Sequence, residues 1–414
     1  VNVRRPSPYL IVFTLWLLVF SSASQTMIIA PILPLIGGTL GIPDSMLGTL
    51  VSAYALMVGV MAIVSGPISD KVGRRRILLL GAGGMTVALV LHAFVTGYVS
   101  FMAVRVLAGM AGGVLSGAAV SYIGDFFPYE RRGWATGWVM SGSAVGQIIG
   151  IPVGITISAR WGFRAPFYLF AATMAATVVL LFLRIPQPPV KRTEGRLSIR
   201  RAAAGYLSML KRSEVVWAAA AYFTMFFGRA VYLVYLPTWL ERDLGATPGQ
   251  IATMYLLGGF ADVATGPQAG RLSDRYGRRG ILLLASVGLS VVMLATPFVV
   301  RRAAWAYPLF FVTMVLVSMR VSPFSALLTS LVDDERRGSL MSLTVALGQV
   351  GFAVGSAIAG PLFARAGYTS NAVVGAVFVL ALGVIVWSRI PEPRFATTTG
   401  APPPPAARSV ENVD

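Results

Sequence analysis

Gly66-Pro67-Ile68-Ser69-Asp70-Lys71-Val72-Gly73-Arg74-Arg75 returns as Gly270-Arg271-Leu272-Ser273-Asp274-Arg275-Tyr276-Gly277-Arg278-Arg279, and each copy lies between long apolar runs. Six of the ten positions are identical. A shorter element repeats in step with it, Glu130-Arg131-Arg132-Gly133 reappearing as Glu335-Arg336-Arg337-Gly338. Two halves that share loop chemistry at a near-constant offset indicate duplication. In membranes that is a common way to build a carrier with its site between the repeats.

Working outward from these loops, the composition names the solvent. Of the 414 residues 56% are apolar and 12% charged, and the mean hydropathy is +0.74, so lipid must cover most of the surface. There is no cysteine and a single histidine, His92, which leaves no thiolate chemistry and no histidine metal cluster. No metal or cofactor is expected. The apolar run that begins at Tyr9 is long, lacks a cleavage site and is followed by eleven more, so it reads as a first span and not a signal peptide.

Helices are expected at 9–33, 45–66, 77–96, 100–124, 134–157, 165–184, 215–239, 248–270, 281–300, 304–331, 339–362 and 370–388, each near the ~20 residues that cross a bilayer. The fold class is therefore an all-α membrane protein of twelve spans in two six-helix, pseudo-symmetric bundles. Of the 34 Lys and Arg, 25 fall on the side that holds both termini and six on the other. This asymmetry explains the net charge of +18 and puts both termini in the cytoplasm. The basic residues sit in short turns without interleaved aromatics, so nucleic acid is a poor partner for them.

Four segments follow: a first bundle over 1–184, a cytoplasmic linker over 185–214, a second bundle over 215–388 and a disordered tail over 389–414. The linker alternates basic residues with Leu197, Ile199, Leu207 and Leu210, which suits either a surface-lying amphipathic helix or a plain solvated strand of chain. Small residues recur every fourth position at Gly109, Gly113 and Gly117, at Gly146, Gly150 and Gly154, and at Gly351 and Gly355. Such rows let helix backbones approach closely. In the fifth and eleventh spans they would also let one half rock against the other.

These residues resemble the major facilitator superfamily over nearly the whole chain. The family signature Gly-x-x-x-Asp-[Arg/Lys]-x-Gly-[Arg/Lys]-[Arg/Lys] is matched by Gly66, Asp70, Lys71, Gly73, Arg74 and Arg75 and again in the second copy. Arg105-Val-Leu-Ala-Gly109 and Asp125-Phe-Phe-Pro128 resemble elements of the drug/proton antiporter branch. In the fifth span, Gly150-Ile151-Pro152-Val153-Gly154 is closer to its sugar-efflux-like relatives. The resemblance implies a cytoplasmic gate built from Gly66, Asp70, Gly73, Arg74, Arg75, Asp125, Asp274 and Arg278, with Asp125 pairing with the basic signature. It also implies a central chamber lined by spans one, four, seven and ten.

A charge at the bilayer centre costs at least ~2.5–3.5 kcal/mol, which makes intramembrane ionisable groups functional candidates. They are Arg105, Arg229, Arg320 and the single deep acid, Asp262. Arg229 and Asp262 are expected either to face solute and carry protons, or to pair with each other and only link spans seven and eight. The acid that the antiporter branch carries in its first span is missing from Ser21-Ser22-Ala23-Ser24-Gln25-Thr26. Gln25, Gln147 and Gln349 are expected to offer hydrogen bonds to solute, and Tyr222, Phe226 and Tyr232 an aromatic wall beside Arg229. His92 is expected at the membrane interface.

The expected function is a secondary transporter, not an enzyme, that moves a small organic solute across the cytoplasmic membrane by alternating access. Proton-coupled efflux of a drug-like or amphipathic compound by a monomer leads. An organic-anion (carboxylate) importer or exchanger using the arginines is the alternative. No Gly-x-x-x-x-Gly-Lys-[Ser/Thr] loop is present to bind a nucleotide.

Overall fold

The apolar runs fold as helices in the computed structural model, which describes residues 7–188, 208–329 and 334–390, the side chains of 66, 67, 70, 329 and 334–339 left aside. The first span is bent into α1 (Pro8–Met27) and α2 (Ile29–Leu40). Pro31 has no N–H for the carbonyl one turn back, which interrupts the helix near Ile28. The second span is α3 (Asp44–Val72) and the third α4 (Arg74–Leu91). The fourth is broken at Gly117, φ 74°, into α5 (Tyr98–Leu115) and α6 (Ala118–Phe126). The fifth runs through α7 (Tyr129–Val145), a π-helical turn at Gly146–Gly150 and α8 (Ile151–Trp161), and the sixth is α9 (Ala165–Arg184).

The second half repeats the plan. Its first span is again divided, into α10 (Ser213–Val234) and α11 (Leu236–Leu244). Then come α12 (Pro248–Tyr276), α13 (Arg278–Val299) and α14 (Ala306–Thr329). The last element, α15 (Asp334–Arg389), holds two spans that meet at Gly367, φ 67° and ψ −176°. Among the described residues ten segments are long and apolar enough to cross a membrane. Dividing the last of these at Gly367 and adding α12, whose centre carries Asp262 among glycines, yields the twelve expected spans.

Both copies of the opening decapeptide make the same turn. Gly73, φ 102°, separates α3 from α4, and Gly277, φ 90°, separates α12 from α13, a backbone region that only glycine enters without strain. The arginines that follow tie each half to itself. Arg74 Nε meets Asp125 Oδ2 at 2.5 Å, joining α4 to α6, and Arg74 Nη1 donates to Ser69 Oγ at 2.8 Å. Arg75 Nη2 donates to the Phe182 carbonyl at 2.6 Å, which reaches the end of α9. In the second half, Arg278 Nη2 donates to Asp274 Oδ1 at 3.3 Å and Nη1 to the Ala326 carbonyl at 3.4 Å.

Of the expected gate residues, the side chains of Gly66 and Asp70 lie outside the described residues, as do those of Glu335 to Gly338. Most of the expected linker (189–207) and the tail from 391 lie outside them too. The start of the linker is pinned: Gln187 Oε1 accepts from the Arg75 N–H at 3.1 Å, and Tyr122 Oη donates to the Pro186 carbonyl at 2.8 Å.

The glycine rows of the fifth and eleventh spans face their own halves. A Cβ at Gly142 or Gly146 would meet the backbone of α1 at Trp16 or Phe20, and one at Gly351 or Gly355 would meet the α10 backbone at Phe223 or Phe227. These seams are internal packing, not the sliding surface. Backbone approach between halves occurs elsewhere: Gly48 faces the Ser356 carbonyl, Gly59 the Ala346 carbonyl, Gly259 the backbone of Ile148 and Gly360 the Ser45 carbonyl.

Among the described residues, the hydrogen bonds that join the halves gather at the end opposite the signature turns. Tyr235 Oη accepts from the Gly48 N–H at 2.8 Å and donates to the Asp44 carbonyl at 2.5 Å. Arg242 forms an ion pair with Asp44. His92 is not interfacial, because it is fully buried, stacked on Phe167 at 4.0 Å with Nδ1 at 2.7 Å from the Ala88 carbonyl. The apolar face it finds inside the bundle outweighs its polarity.

Candidate functional site

Between the halves lies a cavity of about 470 Å³. Its walls come from spans one, two, four, five, seven, eight, ten and eleven, a wider set than the four expected. Those spans come into position because the glycines at 48, 59 and 259 bring α3, α15, α12 and the π turn close at the rim. Leu18, Val58, Phe226, Tyr255, Phe310 and Phe352 give it an apolar surface. Ser22, Thr26, Ser116, Ser143, Gln147 and Gln349 add neutral polar groups, and the charged lining residues are Arg105 and Arg229. Among the described residues no carboxylate lines it.

Gln147 reaches the cavity from the π turn, whose extra residue re-aims the helix face there. Gln349 holds the corresponding place in the eleventh span, so the two amides face the chamber from opposite halves. Arg105 borders the cavity but is 0% exposed, because its guanidinium lies over the ring of Tyr54, 4.4 Å from the centroid. Its Nε donates to the Leu50 carbonyl at 3.1 Å, while Nη1 and Nη2 have no hydrogen-bond partner. The Tyr54 hydroxyl is fixed in turn by Gln25 Nε2 at 3.0 Å and Thr26 Oγ1 at 2.8 Å. Gln25 thus acts behind the wall, holding the tyrosine that holds the arginine.

Arg229 lines the cavity directly, one turn from Phe226. No hydrogen bond or ion pair joins it to Asp262, so of the two expected alternatives the one that pairs spans seven and eight is not the one made. Asp262 is half-buried on α12, a turn beyond the lining residues Gly258 and Gly259, and its backbone carbonyl accepts from Ser318 Oγ at 2.9 Å. Arg320 is 1% exposed and absent from the lining. Tyr222 packs between Phe226 and Phe324 at 5.2 and 5.5 Å. Tyr232 does not share the face of Arg229: its hydroxyl meets Thr296 Oγ1 at 2.7 Å inside the second half. Three positions on from Arg229, Tyr232 is turned by about 60° to one side, while Leu233, four positions on, is turned by about 40° to the other and takes the cavity position instead.

Tyr54, Thr26, Tyr255, Phe310 and Phe352 escaped the sequence reading because neutral and aromatic side chains carry no insertion penalty to single them out. The signal that was available is the spacing of Val51, Tyr54, Ala55 and Val58 along one face of α3.

A family model described as Major Facilitator Superfamily matches residues 15–242 and 218–411. An MFS-type transporter, YwfA, of Bacillus subtilis (strain 168) is 25% identical over 93% of each chain. The multidrug resistance protein MdtG of Klebsiella pneumoniae (strain 342) is 25% identical over 91% of this chain and 90% of its own. Among solved structures, a D-xylose-proton symporter superposes with a TM-score of 0.77 at 18% identity, covering 93% of this chain and 98% of that one. That last likeness is one of fold.

Proposed function

The chain belongs to the Major Facilitator Superfamily, and from that premise we propose that this secondary transporter exports an amphipathic organic compound bearing an anionic group. One observation carries the reading: an apolar chamber of about 470 Å³ between the halves has two arginines in its wall and, among the described residues, no acid. Arg229 takes the anionic group and the aromatic walls take the apolar body. Arg105, held behind Tyr54, adds positive potential and two free N–H donors that a small tilt of that ring would expose. Gln147 and Gln349 hydrogen-bond the uncharged polar atoms from both sides.

Export is supported by relatives named multidrug resistance proteins and by the membrane field. In a cell that is negative inside, an anion leaving gains about 2.3 kcal/mol per charge per 100 mV, so exit needs no acid in the chamber. The distribution of basic residues supports a cytoplasmic location for both termini and the signature turns. Both walls of the chamber come from one polypeptide, which makes a monomer sufficient.

A second reading, proton-coupled efflux of a neutral or cationic drug, is favoured by one feature. Asp262 sits half-buried amid Gly258, Gly259 and Gly266 without an ion pair, as a proton carrier would. Efflux from proteoliposomes separates the two. On the anion reading, R229A abolishes movement of a labelled aryl carboxylate and D262N leaves it intact. Unchanged carboxylate movement in R229A, or a requirement for Asp262 and a pH gradient, would transfer the case to the drug/proton reading.

A further inference from the structure

The chamber draws one arginine from each half, and the two are held differently. Arg229, on α10, lines it directly, whereas Arg105, on α5, lines it from beneath a tyrosine ring. The Arg105 side chain is fully buried, and its Nη1 and Nη2 have no hydrogen-bond partner. Among the described residues no carboxylate lines the chamber to balance either cation. Buried donors without acceptors and a charge without a counter-charge are both unfavourable, and one anionic acceptor supplied by the solute relieves them together.

Access of such an acceptor to Arg105 is set by Tyr54 on α3. Its hydroxyl is tied to the end of α1, where Gln25 Nε2 donates to it at 3.0 Å and Thr26 Oγ1 lies at 2.8 Å. Thr26 Oγ1 gives its own hydrogen to the Ser22 carbonyl at 2.8 Å, so the tyrosine is the donor to Thr26. A Cβ at Gly112 would lie 2.6 Å from the same hydroxyl, which means that the α5 backbone closes the back of the ring. Tyr54 also forms part of the chamber wall, so the room for the ring to swing off the guanidinium lies on the chamber side.

We infer that Arg105 and Tyr54 form a masked second anion point, and that the exported solute carries two acidic groups, one for Arg229 in the second half and one for Arg105 in the first. The inference rests on the reading of the chamber as the site of an anionic amphiphile and deepens it to a dianion. Relative strengths set the selectivity. An acceptor that reaches the Nη atoms takes the place of the ring's contact with the cation and loosens the hydroxyl's ties to Gln25 and Thr26. A neutral carbonyl gains from a guanidinium about what that ring contact is worth, whereas a carboxylate gains about twice as much through charge-assisted, two-pronged bonds. Tyr54 is thus a specificity-determining residue: it keeps Arg105 from amides and yields it to a second carboxylate.

The test uses purified, full-length protein and matched probes, a series of straight-chain α,ω-dicarboxylates against the ω-monoamides of the same length. Affinity is read as the half-saturating concentration for the rise in melting temperature. At the best length the wild type binds the diacid on the order of tenfold more tightly than its monoamide, and R105Q brings that ratio close to one. Y54L also narrows the ratio, but by the opposite route, because the monoamide then binds several-fold more tightly than it does to the wild type. Should R105Q not fold, T26V, which removes the acceptor of the Tyr54 hydroxyl, gives the same gain for the monoamide. A tyrosine that only packs would lower the melting temperature in Y54L and leave the ratio unchanged.

Equal affinity for diacid and monoamide at every length in the wild type overturns the inference, as does a diacid preference that survives R105Q or an unchanged ratio in Y54L. Monocarboxylate binding that needs Arg229, with no gain from a second acid, sinks this inference and leaves the proposed function standing. A diacid preference that needs both arginines, in a protein that moves no anion outward in proteoliposomes, does the reverse.

Discussion

The two ends of the bundle are tied differently. At the signature end, Arg74 with Asp125 and Arg278 with Asp274 each connect helices of one half. At the opposite end, Asp44, Gly48 and Ser45 of the first half meet Tyr235, Arg242 and Gly360 of the second. The first set gives each half its shape whatever the other half does. The second set exists only while that end is shut. A carrier that alternates must break the second set every cycle without disturbing the first, and its chemistry fits: the Asp44–Arg242 pair is partly exposed, the kind of ion pair worth only about 0–1 kcal/mol.

Glycines test this contrast with the largest effects. A Cβ at Gly48 would overlap the Ser356 carbonyl across the halves, whereas one at Gly351 would overlap the Phe223 carbonyl inside the second half. We expect G48A to cut transport at least about tenfold while the protein still purifies folded. We expect G351A to cost about 1–3 kcal/mol through overpacking, seen as a lower melting temperature and poorer yield. The reverse pattern would mean that the seams have been assigned to the wrong helices.

Next in size is Tyr235, fully buried, whose hydroxyl satisfies the Gly48 N–H. Y235F leaves that donor bare at about 1–3 kcal/mol, against the shut end only. A single cysteine at position 26, in the cavity wall, should then react several-fold faster with a bulky thiol reagent added to the purified protein. The smallest effect belongs to R242A: a similar but weaker rise in reactivity, no more than about 1 kcal/mol, that 0.5 M salt reproduces in the wild type by screening. D125A sharpens the comparison from the other end. It should lower thermal stability by removing the Arg74–Asp125 ion pair that joins α4 to α6 and leave the reactivity at position 26 unchanged.

Much of the fold was legible because its signals are long. Twenty-residue apolar runs and a repeated decapeptide need no knowledge of the partner helix, and Gly73 and Gly277 were readable as tight turns. The interruptions within spans were less so. Gly117 adopts φ 74° with no pattern that sets it apart from other glycines in apolar sequence, and the passage from α10 to α11 at Tyr235 is marked only by Pro237 just after it. The candidate site was half legible. Arg105, Arg229, Gln147 and Gln349 stand out as charge and amide groups in lipid and Phe226 by its helical spacing from Arg229, and all five border the chamber. Tyr232 was placed on the wrong face by a 60° difference, and the packing partners of the glycine rows could not be known, since small residues say that something approaches and not what. That Arg105 rests on a tyrosine ring, and not on a carboxylate, is a tertiary fact with no local trace.

The central claim is that the two halves enclose one chamber and exchange closure between their ends. The chain has no native cysteine, so spin labels on cysteine pairs placed at 46 and 241, and at 71 and 275, report each end separately in liposomes. With a transported carboxylate added, the account predicts that the 46–241 distance lengthens as the 71–275 distance shortens. Distances that rise or fall together, or that ignore the solute while transport proceeds, would contradict it.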